Sequence, residues 1–158
     1  YTALQIAAYI MSKYPSIDEM RLHKYLYFAQ RESFIVNNKP LFEDTFEAWK
    51  FGPVIPEVRH AYHSQTISDS LAGSYDEGTK QLVDSVISRY ESVSSWGLST
   101  LTHREQSWNN ARVGIPVGEN GNEPMKMSDI QSDAEHEKLE RGAEFMRRVA
   151  FYGQEHKM

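Results

Sequence analysis

The chain has 158 residues, and its 40% hydrophobic and 12% aromatic content excludes an intrinsically disordered protein. Its net charge of −5 opposes nonspecific binding to nucleic acid or to an anionic membrane. The absence of cysteine excludes a disulfide framework, a thiolate metal site and cysteine catalysis.

The length predicts one domain over residues 1–158 with a single ordinary core. The sequence has no run of about 18 apolar residues, so we expect no membrane span. The first residues also lack the basic region of a signal peptide. With the missing cysteine, this pattern predicts a cytoplasmic protein.

Two capping boxes predict where the first two helices begin. Thr2 and Gln5 can bond each other's amides at the start of the first helix, and Ser16 and Glu19 can do the same for the second. The second helix is predicted over about residues 18–36. Its apolar face is wide, which predicts a central helix contacted on several sides.

Residues 39–51 lack a clear helical pattern. Pro40 and the aromatic residues that follow it fit short extended pieces, so this segment allows a small β-hairpin. Pro53 then predicts the start of a helix over residues 54–63, because proline needs no amide donor in the first turn. Pro56 also falls early enough in that helix to be tolerated.

The next part of the chain alternates polar and amphipathic segments. We predict a polar surface loop over residues 64–78, an amphipathic helix over 79–94 and a shorter helix over 96–103. Ser107 can cap a further turn of helix that reaches Arg112.

The last predicted helix follows a loop rich in glycine and proline. A third capping box at Ser128 starts this helix, which extends over about residues 128–152. Its inward residues are predicted to be Ile130, Ala134, Leu139, Ala143, Met146 and Val149. The elements together predict a mainly α, compact single-domain multi-helix bundle that allows a small β-hairpin around residues 39–51.

Three possible metal ligands lie on neighbouring helical turns, at Glu57, His60 and His63. Helical di-iron sites need two Glu-x-x-His pairs and two further glutamates, and only one such pair is present. We therefore interpret these residues as solvated helix surface. His23 is either a proton-transfer group or a hydrogen-bonded histidine in the core or at its boundary, and we favour the second interpretation.

The segment LTHREQSWNNAR combines histidine, glutamate, serine and arginine with a tryptophan. A Ser-His-Glu catalytic set is one interpretation, but the chain has neither a nucleophile elbow nor a phosphate-binding glycine loop. The structural alternative has Thr102 and Glu105 cap a helix, His103 and Arg112 bond across the turn, and Trp108 fill the core. We favour this alternative and predict no enzyme, no metal and no cofactor.

The segment FEAWKFGPVIPEV, residues 46–58, contains large aromatics and two prolines. Gly52 is held away from the helical region because it precedes proline, and Pro53 fixes the next backbone angle. Trp49 and Phe51 lie two residues apart around a lysine, and we expect one ring to pack inward and the other to reach the surface. We predict a rigid corner whose exposed side is available to a partner.

Three segments together resemble one protein family. LHKYLYFA at residues 22–29, FEAWKFGPVIPEV and LTHREQSWNNAR are similar to motifs of the SocA-like antitoxin family, also called the Panacea domain. This family includes phage-associated proteins of the GepA type, and the resemblance extends over about residues 4–115. His23 stands where the family usually has glutamine, and Arg59–His60 stands where it usually has tyrosine.

The resemblance implies an antitoxin of a bacterial or prophage toxin–antitoxin pair that neutralises its cognate toxin by direct binding. The alternatives are a proteolytic adaptor that delivers a toxin to an AAA+ protease, a prophage regulatory protein, or a metal-dependent or hydrolytic enzyme. The implied partner is a toxin protein, with no membrane and no nucleic acid. The motifs place ten residues in a partner-binding or motif role: Glu47, Trp49, Lys50, Gly52, Pro53, Pro56, His103, Glu105, Trp108 and Arg112.

Overall fold

A computed structural model describes residues 1–68 and 74–155 of the chain. Within these ranges the structure is mainly α with one small antiparallel hairpin, which confirms the predicted fold class. The elements in chain order are α1 (Ala3–Lys13), α2 (Glu19–Asn37), β1 (Glu47–Trp49), β2 (Gly52–Val54), α3 (Pro56–His63), α4 (Glu77–Tyr90), α5 (Ser95–Thr102), α6 (Gln106–Ala111) and α7 (Met127–Glu155).

Helix α2 is the centre of the fold, as its wide apolar face predicted. It packs against α1, α4, α5, α7 and the hairpin. Leu22, Leu26 and Ala29 on this helix are fully buried. A helix contacted on so many sides also buries polar side chains, and these must find partners inside the protein.

The predicted caps are partly right. The Thr2–Gln5 capping box is present at α1, with both reciprocal bonds formed. The Ser16 capping box is wrong, because Asp18 is the N-cap of α2 and accepts from the Arg21 amide at 2.8 Å. Ile17, just before that cap, is buried, so the chain enters the helix at a point that tertiary packing determines.

The hairpin lies further along the chain than predicted. β1 and β2 pair antiparallel, with Ala48 opposite Pro53 and Trp49 opposite Gly52. The prediction that Pro53 opens a helix is therefore wrong: Pro53 belongs to β2, and Pro56 occupies the first turn of α3. Gly52 has φ 127°, a backbone conformation that glycine adopts easily and that strains other residues. This conformation allows β2 to begin pairing with β1 directly after the turn.

Helix α7 departs most from its prediction. It begins at Met127, one residue before the proposed Ser128 cap. Ile130 and Ala134 are buried as predicted, but the other four residues of the predicted inward face are exposed: Leu139, Ala143, Met146 and Val149. The helix contacts α2 and α6 near its start and then continues beyond them.

Among the described residues, no helix combines the length and the apolar composition that crossing a membrane requires.

Candidate functional site

The second and third sequence motifs meet at the hairpin. The Trp108 indole Nε1 donates to the Trp49 carbonyl oxygen at 2.8 Å, and Arg112 Nη1 donates to the Ala48 carbonyl oxygen at 2.9 Å. Trp108 and Arg112 are both buried, so these bonds are shielded from water. Trp108 of α6 and Arg112, which follows the last residue of this helix, therefore hold the main chain of β1 in place.

The aromatic ring of Trp108 fills the core, as predicted. His103 stacks on it with ring centroids 4.3 Å apart, and the Arg112 guanidinium lies 4.8 Å from its centroid. The predicted bond between His103 and Arg112 is wrong, because each packs on Trp108 and Arg112 donates instead to main-chain carbonyls. These three side chains form a structural stack beneath the hairpin.

Glu105 belongs to a buried polar network. The Tyr27 hydroxyl lies 2.8 Å from Glu105 Oε2 and 3.0 Å from Asp133 Oδ2, and Arg31 Nη1 lies 2.7 Å from Glu105 Oε1. Burial raises the pKa of Glu105 to about 7, and the neighbouring Asp133 carboxylate pushes the same way against the attraction of Arg31. The single hydroxyl proton of Tyr27 cannot hydrogen-bond both Glu105 and Asp133 fully. A proton on Glu105 therefore reduces the repulsion between the two carboxylates.

The N-terminus of α6 is capped from a distant part of the chain. The Gln106 and Ser107 amides donate to Asp133 at 2.9 and 3.0 Å, so the predicted cap by Ser107 is wrong. The proposed cap by Thr102 and Glu105 is also wrong, because Thr102 donates to the Ser99 carbonyl oxygen. Asp133 was not predicted as a cap; its only signal in the sequence is that an acid lies next to the apolar positions of α7.

A cleft of about 710 Å³ lies beside the hairpin. Of the ten residues that the motifs selected, two line it, Trp49 and Lys50. The full lining is Glu19, Met20, His23, Lys24, Trp49, Lys50, Phe51, Val54, Arg59, Asn120, Gly121 and Asn122. The remaining selected residues build the surrounding frame or lie in the buried network.

Trp49 forms part of the cleft wall. It is only half-buried, and its Nε1 donates to Glu47 Oε1 at 2.8 Å. Phe51 is the ring that reaches the surface, as one of the two was predicted to do, since it is 44% exposed, whereas Trp49 is only partly buried and lies in the cleft wall. Ala48 is the inward residue of β1, because side chains alternate along a strand and Glu47 and Trp49 share the other face.

The mouth of the cleft contains an ion-pair group centred on Glu19. Its carboxylate lies 2.6 Å from Arg59 Nη1 and 2.9 Å from His63 Nε2. The Arg59 guanidinium also lies 5.3 Å from the centroid of the Trp49 ring. Glu19 is therefore already paired with the Arg59 guanidinium of α3.

The floor of the cleft is formed by two consecutive residues of α2. Lys24 is buried, donates to the Phe51 carbonyl oxygen at 2.5 Å, and has its pKa lowered to about 8 by burial. His23 is also buried, and burial lowers its pKa against the opposing effect of Glu19. His23 Nε2 lies 3.6 Å from Glu19 Oε2, and within the described residues neither ring nitrogen has a hydrogen-bond partner. His23 lies in the core, one of the two positions predicted for it, but the hydrogen bonds expected of it are not formed.

The Glu57, His60 and His63 pattern does not form a metal site. All three residues are exposed, and His63 contacts Glu19. In the part of the chain that the structure describes, no group of three or more histidine, cysteine, aspartate or glutamate side chains is placed to hold a metal ion.

Comparison with known proteins identifies the family to which these motifs belong. The family model described as "Antitoxin SocA-like, Panacea domain" matches residues 22–109, which is more than half of the chain. The chain therefore belongs to the SocA-like Panacea family. The matched residues begin in α2, include the hairpin and end in α6, so α7 lies outside them.

One curated relative carries the name of a member of this class. It is Antitoxin SocA of Caulobacter vibrioides (strain NA1000 / CB15N), which is 44% identical over 46 residues. These residues cover 29% of this chain and 24% of the relative, so the match spans about a quarter of that protein's length. No solved structure matches the chain.

Proposed function

We propose that this protein is a cytoplasmic antitoxin that neutralises a cognate toxin protein by binding it directly. Family membership and the similarity to Antitoxin SocA support this function. The polar groups of the three motifs support a binding module more than an enzyme, because most of them are committed to the main chain or to one another.

The observation that carries the proposal is the exposed second half of α7. Residues 142–155, called here the α7 arm, are all exposed and would span about 21 Å at the rise of an α-helix. Phe145 and Met146 are 65% and 63% exposed, and Val149 is 49% exposed. Since these residues are three and four positions apart, they form one apolar patch.

The exposed apolar face of the arm contributes little to its stability unless a partner covers it. Most helical stability in proteins comes from burying an apolar face, and Phe145, Met146 and Val149 leave theirs exposed. A contiguous exposed apolar patch is also typical of an interaction site. We infer that the toxin covers the patch and stabilises the arm.

The position of the arm suits recognition of a particular toxin. It lies outside the residues that the family model matches, so it is free to differ without changing the shared frame. Charged residues border the patch, including the pair of Glu144 Oε1 and Arg148 Nη2 at 2.6 Å. An apolar centre with a charged rim is the usual anatomy of a protein interface.

Direct binding tests the proposal. The product of the gene beside this one at its native locus would be purified and titrated calorimetrically with the protein. The variant Phe145→Ala, Met146→Ala, Val149→Ala should weaken binding at least about 30-fold, which corresponds to a loss of roughly 2 kcal/mol at an interface hot spot. Alanine preserves helix propensity, so circular dichroism should show an intact arm.

The matched control changes exposed apolar residues away from α7. Val113 and Val117 are 83% and 82% exposed, and Val113→Ala, Val117→Ala should leave toxin affinity unchanged. Equal weakening by both variants, or by neither, would count against the arm as the toxin surface. If the protein instead bound a second copy of itself through the arm, sedimentation of the wild type alone would show a dimer that the arm variant loses.

The proteolytic adaptor makes a different prediction. An adaptor would shorten the half-life of the toxin in cells that contain the protease, whereas an occluding antitoxin leaves the toxin level unchanged. Toxin half-life with and without this protein therefore separates the two mechanisms.

A further inference from the structure

The cleft beside the hairpin contains buried polar groups whose hydrogen-bonding capacity is not used. Within the described residues, neither buried ring nitrogen of His23 makes a hydrogen bond, and Nε2 lies 3.6 Å from Glu19 Oε2. A buried polar group without a partner costs about 1–3 kcal/mol, so such groups require an explanation. Lys24 donates to the Phe51 carbonyl oxygen, but an ammonium has three donors.

The charge of the cleft is positive, although the chain is acidic overall. Lys24, Lys50 and Arg59 line it against a single acid, Glu19. Because Arg59 and His63 already bond Glu19, that acid offers little to Lys24. The buried ammonium of Lys24 is therefore the cation on the floor of the cleft that Glu19 does not neutralise.

The available groups favour a carboxylate over a phosphate. Arginine is the side chain that holds phosphate with two parallel bonds, and the Arg59 guanidinium is already oriented towards Glu19, whose two oxygens accept from its Nη1 at 2.6 and 3.0 Å. Lys24 is a compact point charge that matches a singly charged group. A neutral His23 beside it can add one donor to the same carboxylate.

The walls of the cleft supply apolar surface for the body of a ligand. Trp49, Met20 and Val54 line it, and its volume of about 710 Å³ lies in the range of small-molecule sites, roughly 300–1,000 Å³. Asn120 and Asn122 at its rim offer polar groups that would orient such a ligand.

We propose that this cleft binds a small organic acid whose carboxylate meets the Lys24 ammonium and whose apolar, ring-bearing body lies against Trp49. The site is separate from the α7 arm, so a failure of the toxin-binding proposal would leave this ligand-binding proposal unaffected. Lys24, with its pKa lowered to about 8, remains mostly protonated at neutral pH and is able to form this contact.

A pair of isosteric probes tests the charge requirement. Indole-3-acetate and indole-3-acetamide differ in charge but hardly in shape, and their binding would be followed by the NMR signal of the Trp49 indole N–H. The acetate should bind at least about 10-fold more tightly, as expected for one charge-assisted bond. In Lys24→Met this preference should disappear.

Lys24→Met should fold, because Ser99 Oγ also donates to the Phe51 carbonyl oxygen, at 2.7 Å. The matched control is Lys138→Met, an exposed lysine of α7 outside the cleft, which should keep the preference. If Lys24→Met melts early, Trp49→Ala replaces it, with binding followed by calorimetry because the Trp49 signal is lost, and this variant should weaken both probes equally by removing the wall. Equal affinity for the two probes, a preference that survives Lys24→Met, or an unmoved Trp49 signal at millimolar concentrations would each overturn the proposal.

Discussion

The indole N–H of Trp108 donates to the main-chain carbonyl oxygen of Trp49 at 2.8 Å, and the two tryptophans have opposite environments. Trp108 is buried beneath the hairpin, whereas the side chain of Trp49 is half-buried in the wall of the cleft. One tryptophan thus holds the backbone that presents the other. Their substitution should separate stability from binding.

Trp108→Ala should lower the free energy of unfolding by about 3–5 kcal/mol, because it leaves a large cavity in the core. Trp49→Ala should cost less than Trp108→Ala, by about 1 kcal/mol or more, since a partly exposed side chain gains less from burial. Urea denaturation of both variants measures the difference. A larger loss for Trp49→Ala than for Trp108→Ala would contradict the assigned positions.

Gly52→Ala should destabilise the protein by about 2 kcal/mol or more, because a positive φ strains alanine by roughly 1–3 kcal/mol. A Cβ at this position would also collide with the Lys24 Nζ and Thr102 Oγ1 atoms. Gly118→Ala is the matched control, since its φ is 90° but no atom lies within 4 Å of its Cβ position. Thermal melts should show the larger loss for Gly52→Ala, and equal losses would show that the contact with Lys24 is unimportant.

Glu105 should give the protein a pH-dependent stability. The folded state raises its pKa from 4.5 to about 7, so the folded state binds this proton more tightly than the unfolded chain does. The contribution of Glu105 is therefore most favourable below about pH 4.5 and declines as the pH rises towards 7.

The variant Glu105→Gln isolates this effect, because it cannot titrate. Between pH 5 and pH 8 the unfolding free energy of the wild type should fall by about 2 kcal/mol relative to the variant. His23, whose lowered pKa acts in the opposite direction, is present in both proteins and cancels in the difference. A difference that stays constant with pH would mean that Arg31 keeps Glu105 ionised throughout.

Asp133→Ala should cost about 1–3 kcal/mol, since it leaves two amides of α6 without their acceptor. Glu135→Ala, at an exposed position of the same helix, is the control and should change stability by less than about 0.5 kcal/mol. Denaturation in urea measures both values. Equal losses of stability in the two variants would show that Asp133 does not cap α6.

The sequence predicts the parts of this fold that depend on neighbouring residues. The capping box of Thr2 is correct because its partner lies three positions away, and the central place of α2 follows from apolar side chains around most of its surface. The cap of α6 could not be predicted, because Asp133 lies 26 residues from the Ser107 amide that it accepts from. Local patterns do not contain that information.

The amphipathic pattern of α7 shows the second limit of sequence analysis. Leu139 and Met146 fit an inward face by their spacing, yet both are exposed. Periodicity identifies an apolar face but does not say whether the same chain or another protein covers it. The cleft was missed for a related reason, because it combines α2, the hairpin, α3 and the loop before α7.

The antitoxin function is tested most directly by growth. The gene beside this one at its native locus would be induced alone, with this protein, and with the α7 arm variant Phe145→Ala, Met146→Ala, Val149→Ala. Induction of the neighbour alone should stop growth, and co-expression of this protein should restore it. The arm variant, made at the same level, should not restore growth. A harmless neighbour, or toxicity that this protein leaves unchanged, would contradict the proposed function, while full rescue by the arm variant would contradict the arm as the surface that performs it.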